Sequence, residues 1–371
     1  MKKLAVLYFS DFHTWPVGGM LQYLLNILSK LSENFEMTIF GCSMNGVEPK
    51  PLVIKNKVYP IQVMGNIKTE HKIIPNYIKY LYYTRKIAKH IHSMNFDILY
   101  FHASPIIYAY GKSVKNETAV LAYHQHGLST QNKFYAYFQN WSMKHADVCF
   151  INAGQQDILK KEQELEVPGG SFIRAPGQVD IRVFKKYGYK AWTPNFCYSG
   201  RITDWKQPQL LVEALAYIQQ SKYPQARLTL IGDGDQTEKV RKLAADLQVD
   251  KAVDITGYVS RQQVVQYLNK ATIFVMPTKG EGNSLSVLEA MACELPVVCF
   301  DVIGMRDVVV DGYNGCVANH MTRECLGDAM IRAYEGAESL ANNALKTAEE
   351  YSVDKVCEII ITSLNRAVNK N

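Results

Sequence analysis

Residues 271–300 read ATIFVMPTKGEGNSLSVLEAMACELPVVCF. Two short, β-rich apolar runs, ATIFVMP (271–277) and LPVVCF (295–300), enclose a polar turn and a helical pattern over 284–293. A buried strand, a helix and a second buried strand in that succession form a βαβ crossover, whose strands run parallel in a sheet covered on both faces. The unit carries two carboxylates. Glu281 stands in the Gly-Asn-Ser turn, and Glu289 stands on the helix, where i±3 and i±4 spacing groups it with Leu285, Ala292 and Cys293. Burying a carboxylate is costly unless a partner satisfies it. Glu289 also lies towards the C-terminal end of the helix, where the dipole disfavours it by about 0.3–1 kcal/mol. Either its stem merely covers the apolar face, or it meets a group with adjacent donors, such as the paired hydroxyls of a ribose.

The same alternation extends in both directions. Upstream, strand patterns fall at 4–9, 36–41, 97–102, 119–125 and 147–153; nearer the quoted unit they fall at 196–200, 227–232 and 252–257. Amphipathic helical patterns separate them, and YGYKAWTPN (187–195) interrupts the periodicity. The chain therefore reads as two doubly wound, Rossmann-like α/β domains, 1–184 and 185–371, which suits its 371 residues. The composition, 47% hydrophobic and 20% charged, is that of a globular protein. No apolar run is long enough to span a membrane, and LAVLYF after the basic start is too short for a signal core. The eight cysteines form no CxxC pair and no zinc spacing, so they read as reduced core residues of a cytoplasmic protein, with no metal site. The net charge of +6 is concentrated in 1–184, with 20 Lys and Arg against 13 Asp and Glu. That half is the better match for an anionic surface.

In doubly wound sheets ligands bind beyond the C-terminal ends of the strands. The first strand exits into SDFHTWPVGGM, where Gly18 and Gly19 precede a helix; the turn is either an anion cradle or an ordinary βα connection. His102 (YFHAS) and His126 (YHQHG) also stand at strand exits, either acting on a hydroxyl or pyrophosphate or serving as hydrogen-bonded structural residues. In FCYSGRITDWKQPQ (196–209), Gly200 is followed by Arg201 and then Lys206, two cations suited to a diphosphate. LIGDGDQTEKV (230–240) lacks the third glycine of a dinucleotide fingerprint, which weakens a dehydrogenase reading.

Together these segments resemble the glycosyltransferases of family 4, whose fold is called GT-B. The family's E-x7-E motif is similar to Glu281 through Glu289, its strand-Gly-Arg…Lys motif to Gly200, Arg201 and Lys206, and its strand-GDG segment to IGDGD. PVGG, His126-Gly127, PGQVDIRVF (176–184) and DVIGMRDVVVDGYNG (301–315) resemble further family segments. The resemblance implies two Rossmann-like domains facing across a cleft, with the last helix, about 354–369, returning to the N-terminal domain. It implies a retaining, metal-independent enzyme with no cofactor, which uses a nucleotide-diphosphate sugar, commonly UDP-linked, as co-substrate. Glu289 would hold the ribose. Glu281 would contact the donor sugar together with the amides of Gly282, Asn283, Ser284 and Leu285. Arg201 and Lys206 would neutralise the leaving diphosphate, Gly18 and Gly19 would approach the phosphate or sugar, and His126 would lie near the transferred sugar. The chain departs from the family at Gln207 and Glu294, where glycine is usual, at Asn283-Ser284 in place of Phe-Gly, at Gly177-Gln178 in place of Asn-Gly, and at Asp307 in place of Glu.

The acceptor is less legible; a saccharide or lipid-linked saccharide, as in bacterial-type surface polysaccharide or glycoconjugate synthesis, is expected. HKIIPNYIKYLYYTRKIAKHIH (71–92) interleaves cations with tyrosines and contains no acid. It is either a solvated helix or one that meets an anionic membrane surface, the inner face for a cytoplasmic enzyme. No nucleic-acid partner is expected, because no recognised binding fold accompanies the patch. Two other functions fit the same residues: a nucleotide-sugar epimerase, which would convert donor with no acceptor, and an idle nucleotide-sugar-binding scaffold, which would turn over neither.

Overall fold

The computed structural model describes residues 1–13, 19–68, 75–128, 132–188, 193–281 and 284–370. The chain divides into two units, Met1–Pro176 with Val353–Asn371, and Gly177–Ser352. The strands of the first unit are β1 (Lys3–Leu7), β2 (Glu36–Met44), β3 (Leu52–Ile54), β4 (Lys57–Tyr59), β5 (Ile61–Ile67), β6 (Ile98–Phe101), β7 (Val120–Gln125), β8 (Val148–Ile151) and β9 (Phe172–Arg174). β3 and β4 form an antiparallel hairpin. The rest make a parallel sheet in the order β5-β2-β1-β6-β7-β8-β9. Its central strands are short apolar runs, and every residue of Ile98–Phe101 and Val148–Ile151 is buried, as strands covered on both faces require. Helices α1 (Gly19–Asn34), α2 (Asn76–Ser93), α3 (Ser104–Ser113), α4 (Lys133–His145) and α5 (Gln155–Glu164) supply the connections.

The second unit has the parallel order β12-β11-β10-β13-β14-β15, from β10 (Asn195–Ser199), β11 (Arg227–Ile231), β12 (Val253–Ile255), β13 (Ile273–Met276), β14 (Val297–Phe300) and β15 (Gly315–Ala318). Its helices are α6 (Pro208–Ser221), α7 (Thr237–Asp246), α8 (Arg261–Lys270), α9 (Leu285–Ala292), α10 (Arg323–Glu335) and α11 (Ala337–Glu350). The division falls ahead of the expected 184/185 boundary because Val179 and Phe184 are buried in the second unit's core. The Val179 amide also donates to the Tyr351 carbonyl (3.0 Å). Helix α12 (Val353–Val368) belongs to the first unit. It packs on α1, β7 and β8, and Lys30 meets Asp354 at 2.5 Å. The cysteines are free, and all but Cys325 are buried.

Candidate functional site

In the second unit β10 and β13 are neighbours, but β10 leads away to β11 and β13 to β14. The crossovers therefore diverge at this pair, and a crevice opens beyond their C-terminal ends. The loop after β10 is held by backbone bonds from the loop after β11: Gly200 N–H donates to Ile231 O (3.0 Å) and Ile202 N–H to Asp233 O (2.9 Å). A Cβ on Gly232 would collide with the Gly200 carbonyl, and one on Gly234 with that of Ile202. The glycines of IGDGD thus permit two loops to touch, which accounts for them without a dinucleotide.

The β10 loop then turns through Asp204–Lys206, takes a left-handed residue at Gln207 (φ 50°) and enters α6 at Pro208. Three contacts fasten it to the loop after β13. Trp205 Nε1 donates to Gly280 O (2.8 Å), Lys279 N–H to Trp205 O (3.0 Å), and Gln207 Nε2 to Pro277 O (2.8 Å). Lys279 also pairs with Asp204 at 2.8 Å. At the junction of the two loops Lys206 and Glu281 form an ion pair, each side chain 19% exposed. Burial, followed by the exposed Arg201, pushes the Lys206 ammonium down to about 8 even with Glu281 beside it. The cluster is a cation held ready beside a sparsely hydrated carboxylate, with a second cation alongside.

Glu289 lies on α9, whose limits, Leu285–Ala292, nearly match the expected 284–293. The structure corrects its face. Leu285, Ser286 and Glu289 are the partly exposed positions, whereas Ala292 and Cys293 are buried. The Glu289 carboxylate faces Arg261 of α8 at 3.8 Å, and Arg261 lies over the Phe184 ring, 4.9 Å from its centroid. Burial raises the Glu289 carboxyl to about 7, against the opposing pull of Arg261. Ser284 caps no first-turn amide; its hydroxyl pairs with Ser286 Oγ at 3.0 Å. The strand-exit amides at the start of α9 are therefore not occupied by that hydroxyl.

In the first unit Gly19 begins α1, at the exit of β1. Gly18, Gly282 and Asn283 lie outside the described residues. His126 follows β7 and stacks on His124 (4.6 Å between centroids, 6° between planes). Its Nε2 is 3.1 Å from His102 Nδ1. Burial lowers the His126 imidazole to about 4, so it is neutral at pH 7 and suits a single hydrogen bond to a hydroxyl better than proton abstraction. His124 bonds Tyr100 (2.6 Å) and Tyr23 (3.1 Å). His102 is buried, tied to His126, and depressed by burial.

Sequence reasoning thus brought Arg201, Lys206 and Glu281 to one switch point and missed Trp205, Lys279, Arg261 and His124. Trp205 and Lys279 had a signal, since Trp205 precedes Lys206 and Lys279 stands two residues before Glu281. Arg261 had none, because only the folded sheet carries it to Glu289. Among the described residues no group of three or more His, Cys, Asp or Glu is arranged to hold a metal ion.

Residues 181–350 match the family model of Glycosyl transferases group 1. An uncharacterized glycosyltransferase of Methanocaldococcus jannaschii is 23% identical over 375 residues, covering 90% of each chain. A D-inositol 3-phosphate glycosyltransferase of Pseudarthrobacter chlorophenolicus is 27% identical over 212 residues, 53% of this chain and 50% of that protein. The structure of sucrose-phosphate synthase from Thermosynechococcus elongatus superposes with a TM-score of 0.81 at 15% identity over 100% of both chains. Anabaena HepE in complex with UDP and glucose gives 0.75 at 16% identity, over 99% of this chain and 100% of that one. On the family match over the second unit, the relatives and the shared architecture, the chain is a glycosyltransferase with a GT-B fold of two Rossmann-like domains.

Proposed function

We propose that the enzyme is a retaining glycosyltransferase that moves a sugar from a nucleotide-diphosphate sugar, UDP-linked in preference, to a hydroxyl of a saccharide or lipid-linked saccharide, as in surface polysaccharide or glycoconjugate synthesis. The observation that carries the reading is the Lys206–Glu281 pair at the β10/β13 switch point, with Arg201 beside it. A diphosphate arriving there takes Lys206 from Glu281 and frees that carboxylate for the sugar's hydroxyls. As the bond from the anomeric carbon to the diphosphate oxygen breaks, negative charge grows on the leaving group. Lys206 and Arg201 neutralise it where water is scarce. Glu289 accepts from the ribose hydroxyls, and the start of α9, Gly282 to Leu285, offers amides to the donor. Gly18, Gly19 and His126 of the first unit are assigned to the transferred sugar, His126 as a neutral hydrogen-bonding partner. The UDP and glucose held by HepE support the choice of donor class.

A thermal-shift screen of UDP-, GDP- and ADP-sugars identifies the donor by the rise in melting temperature. Lys206→Ala is expected to lower turnover at least about tenfold with little loss of fold, and Glu289→Ala to weaken nucleotide binding. Normal rates and affinities in both variants refute the assignment. Product formed from donor alone, without acceptor, refutes transfer.

A further inference from the structure

The expectation for 71–92 placed its tyrosines and cations on one helix without saying which of them face out. Residues 71–74 lie outside the described residues, and α2 begins at Asn76. Its tyrosines divide. Tyr80 stacks on Phe9 (4.5 Å, 11°), and Tyr83 packs against Gly65, where a Cβ would strike its ring. Tyr82 is 62% exposed, and Ile78, Arg85, Lys86 and Lys89 are exposed with it, which at i, i+4, i+7, i+8 and i+11 places them on one helical stripe.

That stripe does not end with α2. Tyr108 of α3 feels the charge of Arg85, lies in edge contact with Tyr137 of α4 (5.8 Å), and has the Lys112 ammonium over its ring (5.9 Å). Lys112 also covers Trp141 of α4 at 5.3 Å. The outer surface of α4 adds Phe134, 69% exposed, Tyr137, 56% exposed, and the exposed Lys133. Three successive helices thus meet around Tyr108, and none of them contains an aspartate or glutamate. Glu117, the acid that follows α3, is committed inward to Tyr110 and His92.

Large aromatics left in water beside cations that pair with no carboxylate among the described residues are out of keeping with a surface selected only for solubility. Interfacial tyrosines and phenylalanine, flanked by Lys and Arg, match a bilayer boundary: the rings enter the headgroup layer while the cations meet anionic lipid. We propose that the outer face of α2, α3 and α4 docks the enzyme on an anionic lipid bilayer. The contact is electrostatic in reach and apolar in grip, so salt weakens it by screening the cations.

Flotation of the full chain with vesicles of phosphatidylcholine alone, and of phosphatidylcholine with phosphatidylglycerol, tests this directly. Partition onto the anionic vesicles only, lost at about 0.5 M salt, is the expected result. Arg85→Glu with Lys86→Glu is expected to reduce partition at least about tenfold, and Phe134→Ser with Tyr137→Ser to reduce it at unchanged charge. Nucleotide-sugar binding, measured in the same samples, remains at the wild-type level because none of these residues is assigned to the donor. That readout also confirms folding and keeps failure of the docking face distinct from failure of the donor assignment. Equal partition onto neutral vesicles, absence of partition, or binding to RNA or to an acidic protein without binding to vesicles overturns the proposal.

Discussion

Glu289 is a carboxylic acid poised near neutrality, because burial raises it to about 7 while Arg261 at 3.8 Å is too distant to restore it. Ribose hydroxyls donate to the ionised form, so binding draws the proton off. Nucleotide affinity is expected to rise as pH climbs through 7 and then level, and Glu289→Gln is expected to flatten the profile; calorimetric titration between pH 6 and 8.5 measures both. The same shift carries a stability cost of known sign. Its folded-state value is raised, so the folded chain keeps a proton that the unfolded chain releases above the ordinary glutamate range. Stability then falls as pH rises from about 4.5 through 7. Glu289→Gln should therefore gain most in melting temperature above pH 7 and little at pH 5. Glu294 is a second informative residue. It ends α9 in the left-handed region (φ 57°), the conformation that the usual glycine would favour, and pairs with Lys186 at 2.7 Å. Left-handed strain of about 1–2 kcal/mol outweighs a partly exposed ion pair worth about 0–1, so Glu294→Gly is expected to stabilise modestly in urea unfolding. An equal or lower midpoint would contradict that ordering.

The two strand-exit loops act as one element because Trp205, Gln207 and Lys279 fasten them together. Within that staple Glu281 is the ion-pair partner of Lys206. Burial and Arg201 already hold the Lys206 ammonium at about 8 beside Glu281, so Glu281→Gln, which removes the opposing charge, should move the basic limb of the pH–rate profile below about 8. A limb that stays in place would mean that Lys206 is not the titrating group. Much of this element was legible in the sequence. The apolar runs of β10, β13 and β14 marked the strands, and Gly200, Arg201, Lys206 and Glu281 stood at their exits. Other elements gave weaker signals. β5 is an edge strand whose Gln62 and Val63 are exposed, so IQVMGNI lacks the continuous apolar run of a central strand. β9 has three residues, and β15 begins at a glycine whose Cβ would strike the Val297 carbonyl. Such strands are made by pairing rather than by local preference. The Arg261–Glu289 contact was illegible for a related reason: α8 and α9 lie on separate crossovers, and no local pattern relates them.

At the scale of the molecule, the helix that completes the first unit comes last in the chain. α12 buries Val356, Cys357, Ile360 and Leu364 on one stripe, each at most 2% exposed, against α1, β7 and β8. Fully burying such an aliphatic side chain contributes about 1.5–3 kcal/mol. A chain ending at Ser352 is expected to lose amide-exchange protection in α1, β7 and β8 while β10 to β14 keep theirs. Retained protection in α1 would show that the stripe contributes little. The order of synthesis gives this arrangement a further meaning. Roughly 320 residues must be made after α1 before its partner exists, and at about 5–20 residues per second that is a wait of roughly 15–65 s. The second unit can close on the ribosome first, while the apolar side of the first helix stays available to chaperones and to other nascent chains. Release after the second unit is complete at Ser352 but before α12 is made therefore yields a product that contains the motif-bearing unit and yet exposes a sticky, unfinished neighbour, a species for cellular quality control to clear.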